Sequence, residues 1–132
     1  MFLQKYQLPT GRHSFHDITA TVRRAISESG VQEGVAVIFT PHTTAGITIN
    51  ENADPDVLHD LEYGLDHTFP NLPQYRHAEE NSDAHMKSSL VSASLSVIIT
   101  GGKPILGVWQ DIYFCEFDGP RHRTYYIKVL EG

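Results

Sequence analysis

The C-terminal third of the chain constrains the fold most. DIYFCEF (111–117) and RTYYIKVL (123–130) are rich in aromatic and β-branched residues and flank Asp118-Gly119-Pro120, a turn by composition. Upstream, SLSVIIT (94–100) runs through Gly101-Gly102, a two-residue hairpin signal, into a strand from Lys103 to Leu106. Together these segments predict an antiparallel meander that closes the chain. Earlier, VAVIFT (35–40) is continuously apolar, as a strand buried on both faces would be. AGITINE (45–51) instead alternates, with Ile47 and Ile49 on one side and Thr48 and Asn50 on the other. The two read as paired strands with His42, Thr43 and Thr44 at their junction, and FLQKYQL (2–8) reads as an edge strand.

Three helices fill the gaps. Asp17 or Thr19 caps one that carries Ile18, Val22, Ala25 and Ile26 at helical spacing and stops at Gly30. Asp54-Pro55 starts a second, with Val57, Leu58, Leu61 and Leu65 as its apolar stripe. After the loop at 69–81, Asn81 or Ser82 caps a third, running to about Ala93 and burying Met86 and Leu90. This order predicts an α+β fold: a single compact domain over residues 1–132, with a mostly antiparallel, β-sandwich-like sheet core and about three helices.

Composition narrows the function. Sixteen acidic against ten basic residues give a net charge of −6, which argues against a nucleic-acid partner. No apolar run approaches the roughly 20 residues that span a bilayer, and no signal-peptide core is visible, so no membrane partner and a cytoplasmic location are expected. The single Cys115 excludes an internal disulfide framework and reads as buried and inert. Dinucleotide, P-loop, zincin and nucleophile-elbow motifs are all missing. Eight histidines in 132 residues are the one excess.

The chemistry-bearing residues fall in three islands. In PHTTAGITINENADP (41–55), His42 and Glu51 stand at strand ends as catalytic candidates, with Thr43, Thr44 and Asn50 as substrate contacts; Asp54 reads as a helix cap. In YRHAEENSDAHMKSS (75–89), His77 and His85 with a nearby carboxylate suit zinc or a related ion, although their spacing matches no standard ligand pattern. The same island offers Asp83 for catalysis and Asn81, Lys87 and Ser88 for an anion at a helix start; Glu79 and Glu80 read as a solvated helix entry. In GVWQDIYFCEFDGPRHR (107–123), Gln110 is a catalytic candidate, Trp109 an aromatic wall, and Arg121 and Arg123 guanidinium forks for phosphate.

HTTAGITINENADPDV (42–57), NSDAHMKSSL (81–90) and GVWQDIYFCEFDGPRHR (107–123), in that order, resemble the secondary thiamine-phosphate synthase family, formerly an uncharacterised bacterial and archaeal family. The resemblance runs from about Gly30 to the C-terminus. It departs where the family commonly has Glu-Gly-Asn and Thr-Trp-Gln, against Glu79-Glu80-Asn81 and Val108-Trp109-Gln110 here. It implies a homotrimer with sites near subunit interfaces and a divalent metal, zinc or magnesium, held by His42, His77 and His85. It also implies a transferase of thiamine biosynthesis that joins hydroxymethylpyrimidine diphosphate to thiazole phosphate and releases pyrophosphate. The surplus of histidine and carboxylate fits two other readings as well. One is a metal-dependent hydrolase or lyase acting on a small phosphorylated or otherwise anionic metabolite; the other is a non-catalytic trimeric ligand-binding protein. Tyr125 and Tyr126 alternate to opposite sheet faces, so one of those faces is expected to be covered by a second copy.

Overall fold

The computed structural model describes residues 2–12 and 14–132. Strands β1 (Phe2–Pro9) and β2 (Ser14–Asp17) lead into helix α1 (Thr19–Ser29), followed by β3 (Gly34–Phe39) and β4 (Ala45–Glu51). Helices α2 (Pro55–Thr68) and α3 (Ser82–Val91) come next, then β5 (Ser94–Thr100), β6 (Lys103–Pro104), β7 (Gln110–Glu116) and β8 (His122–Glu131). The strands form two antiparallel sheets, ordered β1-β8-β3-β5-β6 and β2-β7-β4. The domain is α+β with three helices, as the element order predicts.

The core lies where α1 meets the inner faces of both sheets. Val22, Ala25 and Ile26 of α1 pack with Ile38, Ile47, Ile99, Phe114, Tyr125 and Ile127. Alternation sorts β8 cleanly: Arg123, Tyr125, Ile127 and Val129 are buried, while Tyr126 and Leu130 face outward. Asp54 caps α2 by accepting from the Asp56 amide, and Gly30 ends α1 at φ 74°. The N-cap of α1, however, is Ile18, which makes no side-chain cap bond, and neither Asp17 nor Thr19 holds that position; Asp17, one residue earlier, accepts from the Thr19 amide.

The strand pairing departs from the pattern expected. β3 and β4 do not pair among the described residues: β3 lies between β8 and β5, and β4 pairs with β7. β7 and β8 also lie in different sheets, so the final segments are not a simple meander; β5 and β6 do form the hairpin. Residues 40–44 and 117–121 are therefore crossovers between sheets, not hairpin turns. Period-two patterning shows which face of a strand is buried but not which strand lies beside it. The short strand β2 has no signal beyond Phe15 and pairs with β7.

Helix α3 turns a different face inward from the one its apolar residues suggest. Ala84, Lys87 and Ser88 are buried and Val91 packs beside them, whereas Leu90 is 68% exposed. Ser88 donates its hydroxyl hydrogen bond to the Ala45 carbonyl, and Lys87 pairs with Asp66 of α2, so polar contacts set the helix's orientation. The helix ends at Val91, two residues short of Ala93.

Close approach of α3 to β4 depends on Gly46. A Cβ there would stand 2.9 Å from Val91 Cγ1 and 3.0 Å from the Ser92 carbonyl oxygen. Gly46→Ala is expected to destabilise the protein by about 1–3 kcal/mol through overpacking, read as a lowered denaturation midpoint with unchanged m-value. An unshifted midpoint would show that α3 can yield.

Candidate functional site

Crossovers 40–44 and 117–121 bring their side chains to one end of the domain, and the loop entering α3 meets them there. Between them lies a cavity of about 350 Å³ lined by His42, Thr43, Thr44, His77, Asn81, His85, Arg121 and Arg123, together with Pro41 and Glu79. All three candidate histidines, both arginines and Asn81 therefore share one space.

The remaining candidates lie elsewhere, for a geometric reason. β4 and β7 pair from Ala45 opposite Glu116 to Glu51 opposite Gln110. Seven residues at about 3.3 Å each put roughly 20 Å between the two ends of this ladder. His42, Thr44 and Arg123 belong to one end; Asn50, Glu51, Trp109 and Gln110 belong to the other. At that far end the polar groups hold turns. Glu51 accepts from the Ala53 and Asp54 amides, Asn50 accepts from the Glu51 amide, and Gln110 accepts from the Gly107 amide at 2.7 Å. Trp109 is 62% exposed there.

Asp83 and Lys87 line a second, larger cavity of about 600 Å³, with Arg12, Glu62, Asp66 and Asp118 among its other walls. Lys87 Nζ is buried against Asp66 and lies 3.7 Å from Asp83, so its charge is committed to the protein. Ser88 is likewise spent on the Ala45 carbonyl.

Glu116, absent from the sequence candidates, organises the smaller cavity. It is fully buried and receives Arg123 side-on: Nε donates to Oε1 at 2.7 Å and Nη2 donates to Oε2. Thr10 adds its hydroxyl and Asp118 its amide, so all the carboxylate's bonding comes from within the protein. Burial pushes the Glu116 carboxyl up, but the Arg123, Thr10 and Asp118 hydrogen bonds and the Arg123 charge together hold it below its ordinary value. The signal was present in sequence: an acid inside the otherwise apolar run IYFCEF needs a buried cation, and Arg123 opens the next strand.

Arg123 gives Nη2 also to the Thr44 hydroxyl and carbonyl, leaving Nη1 with no hydrogen bond among the described residues. Arg121 donates Nε and Nη2 to Asp118, and its Nη1 has no hydrogen bond among the described residues. The Thr124 amide donates to His42 Nε2 at 2.9 Å, so that nitrogen carries the lone pair and the neutral ring's proton sits on Nδ1. Burial, then the Arg123 charge, hold the His42 imidazole below its ordinary value; Glu116 opposes this and Arg121 adds to it. His77 and His85 stand edge to face with ring centroids 5.4 Å apart.

This arrangement corrects the metal expectation. His42 cannot offer Nε2 to an ion while it accepts from Thr124, and its Nδ1 carries the proton. Among the described residues no three His, Cys, Asp or Glu side chains are arranged to hold one metal ion. The centre expected from His42, His77 and His85 is not formed. Cys115 is buried, and burial raises its thiol pKa, in keeping with an inert side chain. No helix among the described residues is long and apolar enough to cross a membrane.

Residues 4–132 match the family model for the UPF0047 protein YjbQ-like family, and the chain belongs to that family. It is 57% identical over 129 residues to UPF0047 protein MJ1081 of Methanocaldococcus jannaschii, covering 97% of this chain and 94% of that one. It is 55% identical to UPF0047 protein YugU of Bacillus subtilis, covering 92% of each. A crystal structure of an uncharacterised conserved yjbq/upf0047 family protein from Clostridium acetobutylicum superposes with a TM-score of 0.94 at 54% identity, covering 96% of this chain and 99% of that one. A YbjQ-like protein of unknown function from Sulfolobus solfataricus superposes at 0.95 with 27% identity, covering 99% and 97%. None of these relatives is described as a thiamine-phosphate synthase. The resemblance to that family, and the transferase activity and thiamine pathway it implied, are therefore corrected to membership of the UPF0047 family.

The geometry at His42 makes a direct prediction. Nitrogen-15 NMR at neutral pH should show His42 Nδ1 protonated and Nε2 bare, with the ring titrating below 6.5. A base whose pKa is lower folded than unfolded takes up protons on unfolding, so its contribution to stability falls as pH drops below about 6.5 and levels off below the folded pKa. His16, also held down chiefly by burial, acts in the same direction. Protonation of His42 at Nε2 near neutrality would refute the assignment.

Proposed function

We propose that the smaller cavity is a binding site for a small phosphorylated metabolite. The observation that carries this reading is Arg123: Glu116 and Thr44 fix its guanidinium before any ligand arrives, and Nη1 remains for an oxyanion. Preorganisation lowers the entropy cost of binding, and a guanidinium edge suits phosphate geometry. Arg121 Nη1, His42 Nδ1–H and the Thr43 hydroxyl add donors around the same space. The polar groups are mostly donors, which suits a ligand end made of acceptors. The reading is of a ligand-binding site, supported by these fixed donors.

Support for self-association comes from the outer face of the larger sheet. Phe39 sits opposite Tyr126 with ring centroids 6.5 Å apart, and Val35 lies between Leu130 and Ile98 on the neighbouring strands. Ile98 is 62% exposed in the single chain. Exposed apolar side chains on this face, interrupted at mid-row by Lys128 and Ser96, suit a partner surface. Copies of this chain, three in closed symmetry, would cover it.

Calorimetric titration with inorganic and methyl phosphate tests the site, with acetate as the carboxylate control. Phosphate should saturate with a dissociation constant of roughly 1 mM or tighter. Arg121→Ala should weaken it by about tenfold, the loss of one charge-assisted bond of about 1.5 kcal/mol. No saturation by about 10 mM phosphate would overturn the reading. For assembly, light scattering at micromolar concentration should give three times the 14.8 kDa chain mass; a monomer mass would refute it.

A further inference from the structure

The loop between α2 and α3 turns apolar side chains outward instead of into the core. Leu72 is 43% exposed, Pro73 is exposed and Tyr75 is half-buried. Hydrogen bonds close this loop on itself. The Tyr75 amide donates to the Leu72 carbonyl at 3.1 Å, the Glu80 amide to the His77 carbonyl at 3.1 Å, and Asn71 Nδ2 to the Glu80 carbonyl at 2.9 Å. The Tyr75 hydroxyl donates to Met86 Sδ of α3 at 3.2 Å and ties the ring to the helix. An apolar surface held in water by a bonded loop is already in place for a ligand that covers it, so little ordering is left to do on binding.

These side chains enclose a hollow of about 190 Å³ together with Asn71, His77 and Glu80. A cavity of about 150 Å³ with apolar walls takes up benzene, so the hollow is the size of one ring. His77 also stands in the wall of the 350 Å³ cavity with Arg121 and Arg123, and its side chain is 42% exposed. The donor-rich cavity and the apolar hollow therefore adjoin at one accessible imidazole. Glu80 in the hollow's wall disfavours a second negative charge there.

We infer that this hollow seats the apolar end of the phosphorylated ligand, against Leu72, Pro73 and Tyr75. The ligand class is a phosphate monoester whose ester group carries an uncharged, ring-sized apolar body. This rests on the phosphate reading of the neighbouring cavity. The phosphate supplies the charge that the arginines and His42 receive, and the apolar body covers the surface that the loop leaves wet.

The test compares methyl phosphate with phenyl, benzyl, phenylethyl and phenylpropyl phosphates by calorimetric titration. At least one aryl compound should bind about tenfold more tightly than methyl phosphate, which roughly 55 Å² of apolar surface removed from water supplies. Leu72 belongs to neither buried cluster, so Leu72→Asn keeps the core intact. In that variant the ratio should fall below about threefold, because the wall becomes polar. Arg121→Ala should weaken the best aryl phosphate as much as it weakens inorganic phosphate. Equal affinities throughout the wild-type series would overturn this inference and leave phosphate binding standing. A preference that survives Leu72→Asn, or an aryl phosphate indifferent to Arg121→Ala, would overturn the placement across the two cavities. If no phosphate binds at all, both readings fall together.

Discussion

The Glu116–Arg123 ion pair joins the two halves of the structure. Glu116 ends β7 in the three-stranded sheet and Arg123 lies in β8 of the five-stranded sheet, so the pair crosses the seam that the crossovers leave open. Thr10, just past β1, and Thr44, just before β4, bond to the same pair. Burying two charges is costly, and their attraction offsets this only when the remaining donors and acceptors are also satisfied. Here Glu116 gains the Thr10 hydroxyl and the Asp118 amide, and Arg123 gains the Thr44 oxygens. The seam is thus fixed by directional bonds, whereas the apolar core on its other side would tolerate more sliding.

A second polar junction does comparable work at α3. Lys87 is almost wholly buried yet carries its charge between Asp66 of α2 and Asp83 one turn earlier, while Ser88 fastens the helix to the start of β4. None of the Val57, Leu58, Leu61 and Leu65 stripe of α2 is fully buried. The Lys87 bridge is consequently a principal tie between α2 and the domain. It also explains why the larger cavity, despite its size, offers a ligand little unspent charge from its lysine.

These two junctions mark the limit of what was legible in the sequence. Element positions were, because periodicity and caps are local: Asp54-Pro55 starts α2, Gly30 stops α1, and the alternation of β8 sorts its faces. Partnership was not. Nothing local says that β3 and β4 belong to different sheets, nor which residues of one polar island lie far apart. Two of the islands straddle a strand of the β4–β7 ladder, so the ladder carries Asn50, Glu51, Trp109 and Gln110 to one end and His42, Thr44 and Arg123 to the other. The inward face of α3 differs from the expected one because two of its buried positions are lysine and serine, which hydropathy assigns to the surface. Apolar Leu90 stays outside.

The same logic reconciles an acidic chain with a donor-rich cavity. Net charge is a sum over the surface, whereas the field inside a cleft depends on the few groups held near it. Glu116 cancels much of the Arg123 charge, which by itself would weaken an anion site. Yet it does so from one edge of the guanidinium only, and in exchange removes the side-chain freedom that an exposed arginine loses on binding. His42 follows the same pattern: Thr124 takes its Nε2 lone pair, and the price is a ring confined to one tautomer with its N–H unspent. What the cavity gives up in charge it recovers in fixed direction. Such a site would discriminate among anions by where their oxygens lie and not by how many charges they carry.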